Sequence, residues 1–244
     1  MKRISALGFV TAAVTVCLAM ASPATGAPLL LNGGFEAGFA NWARADQLGS
    51  DGTFFQQSGT LSPINGDLVP APSGGLNAAM SDGQGPGSHV LYQDFLVDST
   101  SGTLSFDLFI GNRAGDFFTP SAATVGLDFS TPAINQQARV DILRSGTDPF
   151  SVASSDVLLN LYQSGVGDPA VSGYTTFSID VSALLAANLG QTLRLRFAET
   201  DNLAPFQMGV DNVTFDSATP VPEPASLVLL GTGLVALRAR RRRS

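Results

Sequence analysis

Disulfides are excluded from the body of this 244-residue chain, because its one cysteine, Cys17, lies within the first twenty residues. Zinc–thiolate sites are excluded with them. Basic residues are almost as scarce between residues 28 and 219. That stretch holds six, all arginine (Arg44, Arg113, Arg139, Arg144, Arg194 and Arg196), against nineteen acids, a formal charge of −13. A surface so negative repels phosphate backbones, so nucleic acid is not a partner. Histidine occurs once, at His89, which leaves a serine nucleophile a single candidate base, and no G-x-S-x-G elbow accompanies it. No H-E-x-x-H occurs, and the glycine-rich run at 83–88 carries no lysine to hold phosphates. Three glutamates and seventeen aspartates show no pairing of the kind a glycosidase needs. The chain reads as a non-enzyme, with a secreted hydrolase a distant third reading. His89 is expected to open a strand, and the two acids of Glu199-Thr200-Asp201-Asn202 to sit in a solvated loop.

What is present is concentrated at the two ends. Lys2 and Arg3 precede an almost unbroken apolar run from Ile4 to Ala21, and small residues follow. This is the layout of a secretory signal peptide over residues 1–27, which commits the chain to export. Ala19-Met20-Ala21 fits the cleavage pattern, Gly26 marks a second position, and Pro28 disfavours cutting directly after Ala27. At the other end, Val221-Pro222-Glu223-Pro224 leads into a thirteen-residue, largely apolar segment at 225–237 and then Arg238, Arg240, Arg241, Arg242 and Arg243. Thirteen helical residues span roughly 20 Å against the ~30 Å of a hydrocarbon core. Local thinning and snorkelling arginines close that gap, and the arginines act as a membrane stop on the cytoplasmic side. A signal peptide, a translocated acidic body and a short C-terminal transmembrane helix therefore follow one another.

This tripartite tail resembles the PEP-CTERM sorting signal. The matching parts are Pro222-Glu223-Pro224, the apolar segment and the arginine cluster, about 24 residues in all. The resemblance implies transient anchoring in the inner membrane and recognition by an exosortase. Cleavage at or near the Pro-Glu-Pro motif would then release the body to the cell surface or extracellular matrix. Pro222, Glu223 and Pro224 are on that reading a processing site, not a catalytic one.

Residues 28–219 form one domain by length. Leu104, Phe106, Leu108 and Ile110 alternate with Ser105, Asp107 and Phe109; Val140 and Ile142 are flanked by Arg139 and Asp141; Phe177, Ile179 and Val181 alternate with Ser178 and Asp180; Leu193, Leu195 and Phe197 alternate with Arg194 and Arg196. Each pattern predicts a half-buried strand with one wet face. Further strands are expected at 90–97, 125–129, 157–162 and 210–215, with long loops at 58–75 and 81–88. One short helix is expected at 182–188, capped by Ser182 and stopped at Gly190. The fold class is all-β, a two-sheet jelly-roll-like β-sandwich.

Leu31-Asn32-Gly33-Gly34-Phe35-Glu36 with Trp42, the segment 174–182, and Val210-Asp211-Asn212-Val213-Thr214-Phe215 resemble strands of carbohydrate-binding, galactose-binding-like jelly-roll modules. That resemblance implies a structural Ca²⁺ between the first and last strands, on Glu36 and Asp211 with Asn32 contributing. Alternation places Asp211 on the face of Val213 and Phe215, where a carboxylate needs hydrogen bonds or a cation. Calcium's preference for hard oxygens suits the set, and backbone amides in a tight turn would serve instead. Trp42 is expected to plug the core. Sugar contacts could come from Tyr162, Asp116 or Phe117, with packing the default for Tyr92 and Tyr174. The primary reading is a non-enzymatic exported protein; the rival is a lectin-like module for extracellular polysaccharide.

Overall fold

The apolar rows predicted at 104–110 and 193–197 face each other across the middle of the molecule. The computed structural model describes residues 29–120 and 125–217, which belong to one compact unit. The signal peptide, the Pro-Glu-Pro motif, the apolar tail and the arginine cluster lie outside the described residues. Among those described, the strands are β1 (Ala43–Asp46), β2 (Thr53–Gln57), β3 (Ala78–Asp82), β4 (Gly87–Leu96), β5 (Gly102–Asn112), β6 (Gln136–Arg144), β7 (Val157–Gln163), β8 (Thr175–Asp180), β9 (Thr192–Asp201) and β10 (Phe206–Ser217). One helix, α1 (Ser182–Ala187), separates β8 from β9. The strands form two antiparallel five-stranded sheets, in the orders β1-β4-β9-β6-β7 and β2-β3-β10-β5-β8. No helix among the described residues is long and apolar enough to cross a membrane.

The core lies between the sheets. Leu193, Leu195 and Phe197 of β9, Val140 and Ile142 of β6, and Leu91 and Phe95 of β4 pack with Leu104, Phe106 and Leu108 of β5 and Met208, Val210 and Phe215 of β10. The Phe106 and Phe197 rings meet edge-to-face at 5.4 Å, the favoured arrangement for two aromatic quadrupoles. Trp42 joins this core, 6.0 Å from Phe197, and its indole N–H donates to the carbonyls of Leu31 and Asn32.

Several expectations are corrected. Residues 125–129 are turns, not a strand: Gly126 has φ +60°, and Leu127 packs on Val90 and Ala198 outside the first sheet. The α1 N-cap is Val181 with no side-chain cap; Asp180 accepts the Ser182 amide instead, while the Ser182 hydroxyl accepts the Gly102 amide. Asp211 does not share a face with Val213 and Phe215. A bulge between Asp211 and Thr214, with Asn212 at φ +49°, shifts the alternation by one residue. Val210, Val213 and Phe215 therefore reach the core, and Asp211 points out of it.

The outer face of the first sheet is dry around Arg196, not wet, although Asp94 and Leu96 farther along β4 stay exposed. Arg196 is fully buried and ion-paired with Asp141, which also takes two 2.7 Å hydrogen bonds from Arg139. Arg196 Nη1 donates to the carbonyls of Pro149 and Ser151 at 2.7 Å, so the segment between β6 and β7 folds back over this face. Burial alone would raise the Asp141 pKa, but hydrogen bonds from Arg139 and the charges of Arg196 and Arg139 hold it below the ordinary range. Its contribution to stability is present above the unfolded value of about 4 and is lost as pH falls through the folded one. Removing the acid strands two buried cations, so Asp141→Asn is expected to cost about 3–5 kcal/mol. Asp94→Asn, breaking the pair of Arg194 with a half-exposed partner, is expected to cost about 1 kcal/mol or less. Urea denaturation of both variants checks the contrast.

Candidate functional site

The inner face of β9 changes character along its length. Leu193, Leu195 and Phe197 point into the core, and at period two Glu199 and Asp201 follow on the same side. Residues 199–201 are thus buried strand, correcting the solvated loop expected there, and only Asn202 begins the turn. Across β4, His89 pairs with Glu199 and Gly87 with Asp201, while Asp46 of β1 pairs with His89. His89, Glu199 and Asp201 are 2%, 1% and 5% exposed, and one donor atom from each lies within 4.8 Å of the others.

The hydrogen bonding of the three is unequal. His89 Nδ1 is 2.8 Å from Asp46 Oδ1, and Asp201 Oδ1 accepts the Gly87 amide at 2.8 Å. Neither oxygen of Glu199 meets full hydrogen-bond geometry, the Ser81 hydroxyl of the facing sheet being the donor beside it. Burial pushes the Glu199 carboxyl well above the ordinary glutamate range; Asp201 adds to that, the Ser81 hydroxyl of the facing sheet opposes it, and Asp82 and Asp46 raise it further. Asp201 is pushed up to about 7, by burial first, with the Gly87 amide and His89 pulling it down and Asp51 raising it. Among the described residues every arginine ion pair goes elsewhere, to Asp67, Asp94 or Asp141. A Cβ at Gly87 would fall 2.3 Å from His89 Nε2, so glycine leaves that ring edge its room. Asp201 also lines a cleft of about 120 Å³ with Gln84, Pro86 and Pro205, which connects this end of the sandwich to solvent. His89 does fall within a strand as expected, but its spatial partners were invisible: Glu199 lies 110 residues away, and only the register of β4 against β9 unites them.

Asn32, Glu36 and Asp211 occupy a different region. Glu36 Oε1 accepts the amides of Leu76 and Asn77 at 2.7 and 3.0 Å, and these hold its pKa below the ordinary range. Asp211 accepts the amides of Gly74 and Asn212 at 2.8 and 2.7 Å, while burial raises its pKa. Both carboxylates thus converge on the single segment 74–77. The Asn32 side chain instead ties its own turn, donating to the carbonyls of Gly38 and Ala40 and accepting from the Ala37 amide.

The aromatic candidates separate by burial. Phe117 is fully buried against Phe206, so it is core and offers no sugar platform. Asp116 accepts the amides of Phe117 and Gly167. Tyr92 is covered by the Arg194 guanidinium 4.0 Å from its ring, and Tyr174 packs on Phe109. Tyr162 lines a cleft of about 220 Å³ with Phe177, Asp168 and Ser172, its ring 5.3 Å from that of Phe177. Burial pushes its phenol up to about 12, with the Asp168 charge adding to the shift.

Similarity to known proteins divides along the chain. Residues 220–243 match the PEP-CTERM protein-sorting motif. The sandwich is similar to TmCBM61 in complex with β-1,4-galactotriose, at 9% identity and TM-score 0.45 over 79% of this chain and 100% of that one. It is similar also to a cleaved adhesin domain of Lys-gingipain from Porphyromonas gingivalis, at 16% identity and TM-score 0.48 over 79% and 100%. An exo-β-agarase structure matches at 10% identity and TM-score 0.41, over 81% of this chain and 26% of that one. No curated protein matches in sequence. Likeness at these identities and TM-scores carries no argument about function. The chain is an exported protein with a two-sheet β-sandwich body and a PEP-CTERM protein-sorting motif at residues 220–243.

Proposed function

We propose that this chain is a non-enzymatic protein of the cell surface or extracellular matrix, cut at or beside Pro222-Glu223-Pro224 by an exosortase after transient anchoring in the inner membrane. The observation that carries the reading is the match of residues 220–243 to the sorting motif. The order of parts supports it: an acidic segment, an apolar run too short for a comfortable span, and five terminal arginines that hold the end on the cytoplasmic side. The body's formal charge keeps it soluble in a hydrated polymer. The intact mass of protein recovered from its native host tests the proposal. Loss of the residues beyond the motif is expected when the sorting enzyme is present, and retention of the arginine end when it is deleted or when Glu223 is replaced by Ala. Retention of that end in every strain would contradict it.

The second reading, polysaccharide binding, is favoured by the cleft of Tyr162 and Phe177. Half-buried rings beside the Asp168 carboxylate and the Ser172 hydroxyl combine an apolar surface for sugar C–H groups with polar partners for hydroxyls. Affinity electrophoresis through the host's own polysaccharide is expected to retard the protein, and Tyr162→Ala to abolish most of the retardation. No retardation on any acidic or neutral polysaccharide would sink this reading and leave the first intact.

A structural Ca²⁺ on Asn32, Glu36 and Asp211 completes the proposal; it rests on the place of these residues in the opening and closing motifs, while the amides of segment 74–77 that already serve both carboxylates are the competing account. Calcium added to chelated protein is expected to raise Tm, since a ligand of the native state must stabilise it. An unchanged Tm counts against this site.

A further inference from the structure

We propose that His89, Glu199 and Asp201 form a binding site for a divalent transition-metal cation, zinc being the best match, between the two sheets at the C-terminal end of β9. The site is separate from Asn32, Glu36 and Asp211, and it depends neither on sorting nor on sugar binding.

Three observations converge on it. The first is the unsatisfied carboxylate. Glu199 is 1% exposed and neither of its oxygens meets full hydrogen-bond geometry; the Ser81 hydroxyl is the donor beside it, Asp201 lies close by, and no arginine among the described residues is paired to either acid. A buried anion left this way is costly, and a bound cation removes the cost for both acids together. The second is the histidine. A carboxylate can only accept, so the 2.8 Å contact with Asp46 places a proton on His89 Nδ1 and leaves Nε2 as the metal-binding nitrogen. A carboxylate holding the far nitrogen of a ligating imidazole is the usual outer support of a histidine–metal bond. The third is room and access: only a glycine at 87 keeps Nε2 clear, and Asp201 borders the 120 Å³ cleft that opens beside it.

The donor set selects the class of ion. One imidazole and two carboxylates suit zinc and its d-block neighbours, whereas calcium prefers an all-oxygen shell. Ligands of a tetrahedral zinc sit ~3.4 Å apart for bonds of ~2.0–2.1 Å. The donors here lie within 4.8 Å of one another, so adjustments of about 1 Å in side-chain position bring them to bonding distance. Such an ion would staple β4 to β9, a role that disulfides cannot fill in a body without cysteine.

Untagged protein, stripped with chelator, should be titrated with Zn²⁺ against a chromophoric competitor. One equivalent per chain is expected, with affinity lowered at least tenfold by His89→Ala and by Glu199→Gln. Asp46→Asn should weaken it by roughly 10–100-fold through the imidazole alone. Asp98→Asn, at an exposed acid, should leave it unchanged. Zinc-edge X-ray absorption on the wild-type protein should show a nitrogen/oxygen shell with one imidazole, and His89 is the chain's only histidine. That measurement needs no variant to fold. The absence of stoichiometric zinc, binding of calcium alone, a zinc shell without imidazole, or affinities indifferent to His89 and Glu199 would each overturn the proposal. A calcium response lost in Glu36→Gln but kept in Glu199→Gln belongs to the other site, so the two fail independently.

Discussion

The strand on which everything else leans is β9. It is the middle strand of its sheet, flanked by β4 and β6, so both of its faces must be covered along its whole length. Its outward face carries Arg194 and Arg196, and its inward face ends in Glu199 and Asp201. A strand with four charged side chains in the middle of a sandwich is unusual, because each charge taken from water needs a partner. The two arginines have theirs in Asp94 and Asp141. The two acids have no cationic side chain beyond an imidazole, with one backbone amide and the Ser81 hydroxyl beside them, and that imbalance sets the chemistry of this end of the fold.

Much of the architecture was legible in the sequence because alternation is a local signal. Strands β5, β8 and β9 declare themselves through phenylalanine, leucine and isoleucine at period two, and the sandwich class follows from their number and their glycine-rich connections. Strands β1, β2 and β3 escaped because their residues give no such contrast, β2 carrying two adjacent phenylalanines followed by two glutamines. Ala43–Asp46 has no large apolar side chain, and Ala78–Asp82 is buried on both faces, so small and polar residues fill it without alternating. The segment at 125–129 misled in the opposite direction: its apolar residues pack on the outside of a sheet from within a turn.

The polar residues were harder to read, for a physical reason. Arg139, Asp141, Arg194 and Arg196 alternate with apolar neighbours as wet-face residues do, and nothing local reveals that the chain returns over them after β6. The displacement of Asp211 from the core face likewise depends on one bulge that only pairing with β5 exposes. The histidine and its two carboxylates belong to the same category, being assembled by strand register from positions 89, 199 and 201. By contrast the tail at 220–243 is a contiguous signal, so it could be recognised without any structure.

These observations describe an exported domain that does without disulfides and carries most of its charge as acid. Its buried ionic groups divide into arginine–aspartate pairs on one face of β9 and, on the other, two acids without an arginine, of which Glu199 is the less satisfied. The most direct measurement is a crystal structure of the zinc-soaked protein with anomalous data collected on both sides of the zinc absorption edge. The account predicts one strong peak bonded to His89 Nε2, Glu199 and Asp201, present only above the edge. An empty site at full soak, with Glu199 hydrogen-bonded to Ser81 or to Asp201 through a shared proton, would contradict it.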